Sequence, residues 1–544
     1  MDQDKRVKHL RQILLWPVYL LPSDDGASIH DHWEQLEKSG AENPWREVDD
    51  EFGDPCEFQA RHYNEFVTFL PPVQRFLYGQ GLGRSVRKVY GESPICVMRR
   101  TDIAQARVTL NRGDAPITLD VVHVDLYFFF DIDVAILALE VSVDGVAFDT
   151  AQDLMFRFGR AYPAYWEEAD GRGGHCPWKV EWLAADGRVL ATSDYENREK
   201  FLSFVCRHRA PTTAAHWEFL MSPLVLHHTD AKGPMRYRQL EYYRMPYMAF
   251  LSLDCVDAIS RADSIRLALG NESGKGDLPY SETYLADFET RYCYDRNFMT
   301  SEKKAASVRF HASGDTLVVT GDGSDAFFTN AEGGILSRFR HQHFLMFLIA
   351  HFQKAALLMF SDRLVGVVSR LDVTNPKANR TFRRDIRSAH ENFLRFNHRY
   401  WFENISHQAQ VRELFGMLRA HLQLDNLFRE VREELKDMGD FLDAEAMRKQ
   451  NQTVVRLTVV TIFGLVGTVT TGFIGMNIFD WTDQPAWWRV AAFLTVFVPV
   501  GVLTLYTVLK SRRLSDFLDA LSDETVSWHR RWRALLRVWF GTRS

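Results

Sequence analysis

The residues of this chain best suited to chemistry are Gly475-Met476-Asn477, which close an uncharged apolar run beginning at Leu457. An amide at that place offers a neutral oxygen at the end of a membrane-length segment. With a second membrane-length segment close behind it, that placement reads as the mouth of an ion-conducting pore. Behind the motif, Asn451, Val454, Leu457, Thr461, Leu465, Thr468 and Gly472 recur at steps of three or four. That spacing puts them on one stripe of a helix. The stripe alternates small polar and aliphatic groups. Lipid does not reward buried hydroxyls or amides, so such a stripe faces protein or water; the plainer alternative is threonine bonded back to its own helix. Asp480 and Asp483 follow in the next loop as candidate cation attractors.

Other candidates are scattered through the preceding residues. Asp125, Asp131 and Asp133 could form a regulatory cation site, or could be solvated carboxylates at a turn. His175-Cys176 and Cys206-x-His208 have metal-ligand residue types but lack a second close pair. His341, His343 and His351 fall on an apolar helical pattern and read as core or surface histidines. The chain carries no P-loop, nucleophile elbow or HExxH, so it is not read as an enzyme. A net charge of -6 without clustered basic residues argues against nucleic acid as a partner. No cofactor is implied.

The elements that must position the motif are two apolar segments. Leu457–Gly475 supplies nineteen uncharged residues and Val490–Leu509 twenty, each enough for a hydrocarbon core of about 30 Å. Arg448, Lys449 and Arg456 precede the first, and Lys510, Arg512 and Arg513 follow the second. The positive-inside rule then places both termini in the cytoplasm. Trp481, Trp487 and Trp488 stand where interface anchors belong. In the tail, Trp528, Trp532, Leu535, Leu536 and Trp539 share a helical face among Arg530, Arg531, Arg533 and Arg537. That face suits the inner membrane surface or a neighbouring helix. No secretory h-region opens the sequence. The six cysteines precede the apolar segments and include no CxxC pair, as in a reduced cytosolic domain.

Upstream, Ile13–Leu21 reads as a strand broken by Pro17, and residues 117–143 carry the strongest strand pattern. Residues 24–115 show no clean periodicity, and residues 150–235 read as an irregular region. Leu317–Thr320 runs as a strand into the Gly321-Asp322-Gly323 turn, and Ser337–Arg370 turns helical. Its apolar stretch Phe344–Ala350 is stopped by His351, Gln353 and Lys354, which favours a helix buried in a soluble domain over a third span. Between Pro376 and Pro485 there is no proline. Leu424, Phe428, Val431, Leu435, Met438 and Leu442 keep heptad spacing. The pattern predicts one helix from about Tyr400 to Met476, on the order of 115 Å long, acting as a stalk; the alternative is a helix packed on its own domain.

The expected organisation is thus an α/β cytoplasmic domain (1–376, with possible insertions within 24–235) followed by a long stalk helix (377–456). A transmembrane helix (457–477), an external loop (478–489), a second transmembrane helix (490–509) and a basic amphipathic tail (510–544) complete it. Gly-Met-Asn at the end of the first of two C-terminal spans, with a short loop, a basic end and a long preceding helix, resembles the CorA-type divalent-cation transporters and their zinc-transporting ZntB-like relatives. The resemblance covers roughly residues 380–513. It implies a funnel-shaped homopentamer in a bacterial inner membrane whose first spans line the pore. Gly475, Met476 and Asn477 would carry the signature at the outer mouth. Asn451, Val454, Leu457 and Thr468 would face the pore, with Val454 and Leu457 as its hydrophobic constriction. Magnesium members usually have Tyr before the motif and an acidic loop after it. Here Ile474 and Phe479-Asp480-Trp481-Thr482-Asp483 stand instead, which leaves the ion open among Mg²⁺, Zn²⁺, Co²⁺ and Ni²⁺. The alternative of another class is a membrane-tethered sensor with a cytosolic ligand-binding domain.

Overall fold

The structure is a computed structural model that describes residues 5–21, 32–38, 43–48, 59–79, 94–168, 171–240, 244–296, 308–369, 376–476 and 485–509. Its strands are β1 (Arg6–Leu21), β2 (Trp45–Glu47), β3 (Ile95–Arg100), β4 (Gln105–Thr109), β5 (Ile117–Phe129), β6 (Ile132–Ala147), β7 (Lys179–Leu183), β8 (Val189–Thr192), β9 (Val225–Leu226), β10 (Arg236–Gln239), β11 (Tyr247–Leu253), β12 (Cys293–Tyr294), β13 (Arg309–Ala312) and β14 (Thr316–Asp322). The helices are α1 (His32–Glu37), α2 (Ala60–Thr68), α3 (Pro71–Tyr78), α4 (Phe148–Arg157), α5 (Arg198–His208), α6 (Ala215–Met221), α7 (Arg261–Leu269), α8 (Glu282–Tyr292), α9 (Ala326–Thr329), α10 (Ile335–Arg338), α11 (Phe344–Val368), α12 (Pro376–Arg399), α13 (Ala409–His421), α14 (Leu424–Gly475) and α15 (Ala486–Leu509). A mixed α/β sheet region is followed by a helical C-terminal region. The chain divides into two compact units, Met1–Asp437 and Met438–Ser544.

Among the described residues the strands form a single 14-stranded sheet with the main order β12-β13-β14-β11-β1-β6-β5-β4-β7-β8. β11 and β14 run parallel, as do β9 and β10; the other pairs are antiparallel. The strand-rich stretch 117–143 becomes the β5–β6 hairpin, turned at Asp131 with φ 62°. Pro17 does not break its strand. β1 is continuous and pairs with β6 from Arg6↔Ala147 to Tyr19↔Val134. On its other edge β1 meets β11 through Leu14 and β10 from Val18 onward. Pro17 falls in the gap between those partners, where no ladder donor is required of it.

The sheet is covered on both faces. Leu14, Trp16, Leu137, Leu139, Ala249 and Leu251 point to one core with Phe148 and Leu154 of α4 and Trp217 of α6. The alternate residues point the other way: Phe250 stacks on Phe328 at 4.4 Å and Phe129 on Phe352 at 3.9 Å. This period of two, buried on both sides, explains why the central strands read as nearly continuous apolar runs. Residues 150–235, irregular in sequence, contribute Trp182 and Trp217 to the first core.

α11 covers the second face, and α12 and α13 pack on α11. Phe352 also meets Phe76 of α3 at 5.5 Å, and Phe360 meets Phe393 and Phe396 of α12 at 5.6 Å. Gln353, buried on the same helix, donates to the carbonyls of Tyr400 and Phe402. Among the described residues one helix is long and apolar enough to cross a membrane, Ile335–Val368, and 72% of its most apolar stretch is buried within the protein. It is a core helix, as the charges at its middle indicated.

The segment 377–456 is not one stalk helix. α12, α13 and the start of α14 are separate, broken at residues 400–408 and again at Leu422-Gln423, where Gln423 adopts φ 54°. Neither break carries a Gly or Pro. The long helix therefore begins at Leu424 rather than near Tyr400, and its 52 residues give a contour length of about 78 Å. The first part of its heptad seam is buried on its own unit. Leu424, Val431 and Leu435 are inaccessible, and Phe428 stacks on Trp401 at 4.3 Å. Packing on the domain prevails over a free stalk as far as Asp437. Because Phe352 joins the sheet, α3 and the Tyr400 segment, Phe352→Ala is expected to cost about 3–5 kcal/mol, read as a lowered denaturation midpoint by circular dichroism. A loss below about 1 kcal/mol would contradict this packing.

Candidate functional site

The apolar segments chosen from sequence are both helical: Leu457–Gly475 forms the second half of α14, and Val490–Leu509 lies in α15, which continues through Pro499. The Thr495 hydroxyl donates back to the Ala491 carbonyl at 2.8 Å. α14 ends at Gly475, and Met476 follows in a turn, 65% exposed. Asn477, Asp480, Asp483 and the tail 510–544 lie outside the described residues. Asn451 lies in α14, with its side chain outside those described.

Within the single chain the stripe below the motif is uncovered. Val454, Leu457 and Leu465 are 55%, 66% and 58% exposed, and Thr461, Thr468 and Gly472 are exposed beside them. Val466 and Thr470 are the buried members of this half of the helix among those described. The threonines bond back to their own helix, as the plainer reading anticipated. Thr461 donates to the Leu457 carbonyl at 2.9 Å, Thr468 to Gly464 at 2.9 Å, Thr470 to Val466 at 2.7 Å and Thr471 to Gly467 at 2.9 Å. Each hydroxyl hydrogen is thereby committed, while the oxygen keeps lone pairs able to accept.

The acidic candidates are not brought together. Asp125 takes a bidentate fork from Arg99 at 2.6 and 2.7 Å. Asp131, at the hairpin turn, is buried and meets Arg395 at 3.4 Å. Asp133 pairs with Arg363 at 3.3 Å and His32 at 3.1 Å. Within the chain Asp125 and Asp131 are buried and Asp133 half-buried, and each carboxylate is paired with basic side chains of the protein rather than turned toward the other two. Among the described residues no three His, Cys, Asp or Glu side chains converge as metal ligands.

The acid that sequence reading missed is Glu140, the one carboxylate inside the apolar run of β6. Arg11 reaches it at 2.6 Å and Arg340 at 2.8 Å, with His123 at 3.9 Å. Burial pushes its carboxyl upward, but the hydrogen bond and charge of Arg340, followed by those of Arg11, outweigh this and hold it below the usual range. The only sequence sign was a charged residue where strand alternation calls for an apolar one.

The histidine and cysteine pairs scatter likewise. Cys176 is wholly buried, which pushes its thiol well up, and His175 packs edge-on against Phe156 and Tyr165 at 5.3 Å. Cys206 is exposed. His341 meets Glu65 at 3.2 Å, and His351 bonds the Gly314 carbonyl at 3.1 Å. His343, buried at the end of the π-helical turn Phe339–His343, is pulled down to about 3 by burial and then by Arg338. In comparisons with known proteins, no family model matches the chain and no curated protein matches it.

Glu140 gives a pH prediction. Its folded pKa lies below the unfolded value of about 4.3, so its stabilisation is fully present above that pH and is lost as pH falls through the folded value. Glu140→Gln is expected to cost about 3 kcal/mol at pH 7 and to flatten the fall in denaturation midpoint below pH about 4.3. An unchanged acid profile would remove Glu140 from this role.

Proposed function

We propose that the chain is a divalent-cation transporter of the membrane, with a pore lined by α14 from each subunit of a homopentamer and a hydrated cation received by a ring of Asn477. α14 and α15 are its two spans in this reading, joined outside the membrane, with both termini in the cytoplasm. The observation that carries it is the uncovered stripe Val454, Leu457, Thr461, Leu465, Thr468 and Gly472, which leads along one helix to Gly475-Met476 at the threshold of Asn477.

The threonine geometry supports the same reading. A hydrated cation turns the hydrogens of its water shell outward, so a wall that serves it must accept rather than donate. Thr461 and Thr468, having given their hydrogens to Leu457 and Gly464, present acceptors. Val454 and Leu457 supply the aliphatic ring that closes a pore by dewetting. The membrane potential would drive uptake with about 4.6 kcal/mol per divalent ion at 100 mV. The ion is Mg²⁺, Zn²⁺, Co²⁺ or Ni²⁺. The similarity to CorA-type transporters noted from the motif and its placement points the same way.

Protein reconstituted in vesicles and assayed for uptake of these four ions tests the proposal. Asn477→Ala is expected to lower uptake by about tenfold or more, equal to a loss of about 1.4 kcal/mol at the site. Leu457→Ser is expected to raise leak through the closed state. Uptake undiminished in Asn477→Ala would reject the amide ring. No uptake of any ion by the wild type would favour the membrane-tethered sensor.

A further inference from the structure

The second unit, Met438–Ser544, opens on a stretch of α14 with one bare side. Met438 and Leu442, the last residues of the heptad seam, are half-buried. Asp440, Ala444 and Met447, at steps of four and three, lie on the opposite side of the helix and are exposed. Scattered exposed apolar residues are ordinary. Here Phe441, 41% exposed, and Met447, 64% exposed, bracket Ala444 on the side that the seam does not use. The same side is acidic: from Met438 to Met447 the chain carries Asp440, Asp443 and Glu445 and no basic residue. Asp440 and Asp443 make no ion pair among the described residues.

The tail of the same unit has the complementary chemistry. Trp528, Trp532, Leu535 and Trp539 recur at steps of four, three and four, with Leu536 beside them, which is the spacing of one apolar helical face. Arg531 and Arg533 border that face on either side, Arg530 and Arg537 lie behind it, and no Asp or Glu follows Glu524. Arginine suits carboxylates through its planar fork of donors. Indoles suit an exposed Phe and Met through ring and sulfur contacts.

The chain is long enough to bring the two together. α15 ends at Leu509, and residues 510–527, fully extended, span up to about 60 Å. In the two-span reading α15 returns to the side of the membrane from which α14 enters at Leu457. Met447 lies one helical stretch of about 15 Å from that point. A lipid surface would cover the indoles and leave the acidic side of α14 bare, whereas docking on α14 covers both.

We infer that residues 526–540 form a basic amphipathic helix that docks on the Asp440–Met447 side of α14 in the same chain. Its bordering arginines meet Asp440 and Asp443, and its indoles cover Phe441, Ala444 and Met447. The inference rests on the two-span part of the proposed function and not on ion flux.

Cross-linking in the full chain, purified in detergent, tests it. Ala444→Cys or Met447→Cys is combined with Trp532→Cys or Leu535→Cys in variants that keep the wild-type circular dichroism. A bismaleimide that bridges about 8–10 Å, the separation of packed helix axes, is added. Products are identified by peptide mass spectrometry against each single variant, because Cys206 is also exposed. At least one pair is expected to cross-link within the monomer band. Asp440→Arg with Asp443→Arg should lower that yield by about tenfold. Arg531→Asp with Arg533→Asp should do the same, and the two reversals together should restore it. Yield that persists in vesicles of phosphatidylcholine, with and without phosphatidylglycerol, supports docking on α14. Loss of the cross-link in the anionic vesicles, with indole fluorescence quenched by brominated lipid, assigns the tail to the membrane and overturns the inference. It is also overturned if no pair cross-links, if charge reversal leaves the yield unchanged, or if the product forms only between subunits. A chain that cross-links but takes up no ion refutes transport alone, and one that transports without the cross-link refutes the docking alone.

Discussion

The first half of α11 is buried around its whole circumference, and the first unit is built to cover it. Met346 through Gln353 are eight consecutive buried residues, so no side of that stretch faces water. A helix of this kind must be enclosed rather than laid on a surface. The sheet encloses one side through Phe129 and its neighbours, and α12 and α13 enclose another through Phe393 and Phe396. Ion pairs from Arg363 to Asp133 and from Asp362 to Arg238 hold its last turns to the sheet. The same need draws the start of α14 into the unit, since Phe428 stacks on both Phe393 and Trp401. The unit therefore extends to Asp437 rather than ending before α12.

Burial also decides what the acidic residues do. Desolvating a carboxylate costs several kcal/mol unless a cation or donors replace the water. In a sheet covered on both faces, Glu140, Asp125 and Asp131 meet that condition with Arg11 and Arg340, Arg99 and Arg395. Their oxygens are committed to guanidinium groups. Cation handling, in the function proposed above, then falls to α14 and to neutral oxygens.

The local patterns were legible where one physical requirement dominated. β-Branched and aromatic content marked β5 and β6, and an uncharged run of about twenty residues marked the second half of α14 and most of α15 as helices. The breaks at residues 400–408 and 422–423 were not legible. Their sequences contain no residue that forbids a helix, and the chain turns there because Gln353 and Arg419 hold carbonyls of the Tyr400–Phe402 segment. Gln423 accepts a left-handed backbone that its own type does not favour. Pro17 misled for the reverse reason: a residue that ordinarily ends a strand is harmless where the neighbouring edge has a gap.

Sequence by itself determined that residues 117–143 are strands, that the apolar runs 457–475 and 490–509 are helical, and that Gly475-Met476 stands at the end of an uncharged helix. It marked the helix interrupted by His351, Gln353 and Lys354 as a core helix, but did not determine which elements cover it. Residues 344–368 and 457–475 are both strongly apolar helical stretches, yet the first is enclosed by a sheet and two helices while the second leaves Leu457 and Leu465 bare within the single chain. Coverage depends on contacts between residues hundreds of positions apart, such as Phe129 with Phe352, and no local pattern encodes it.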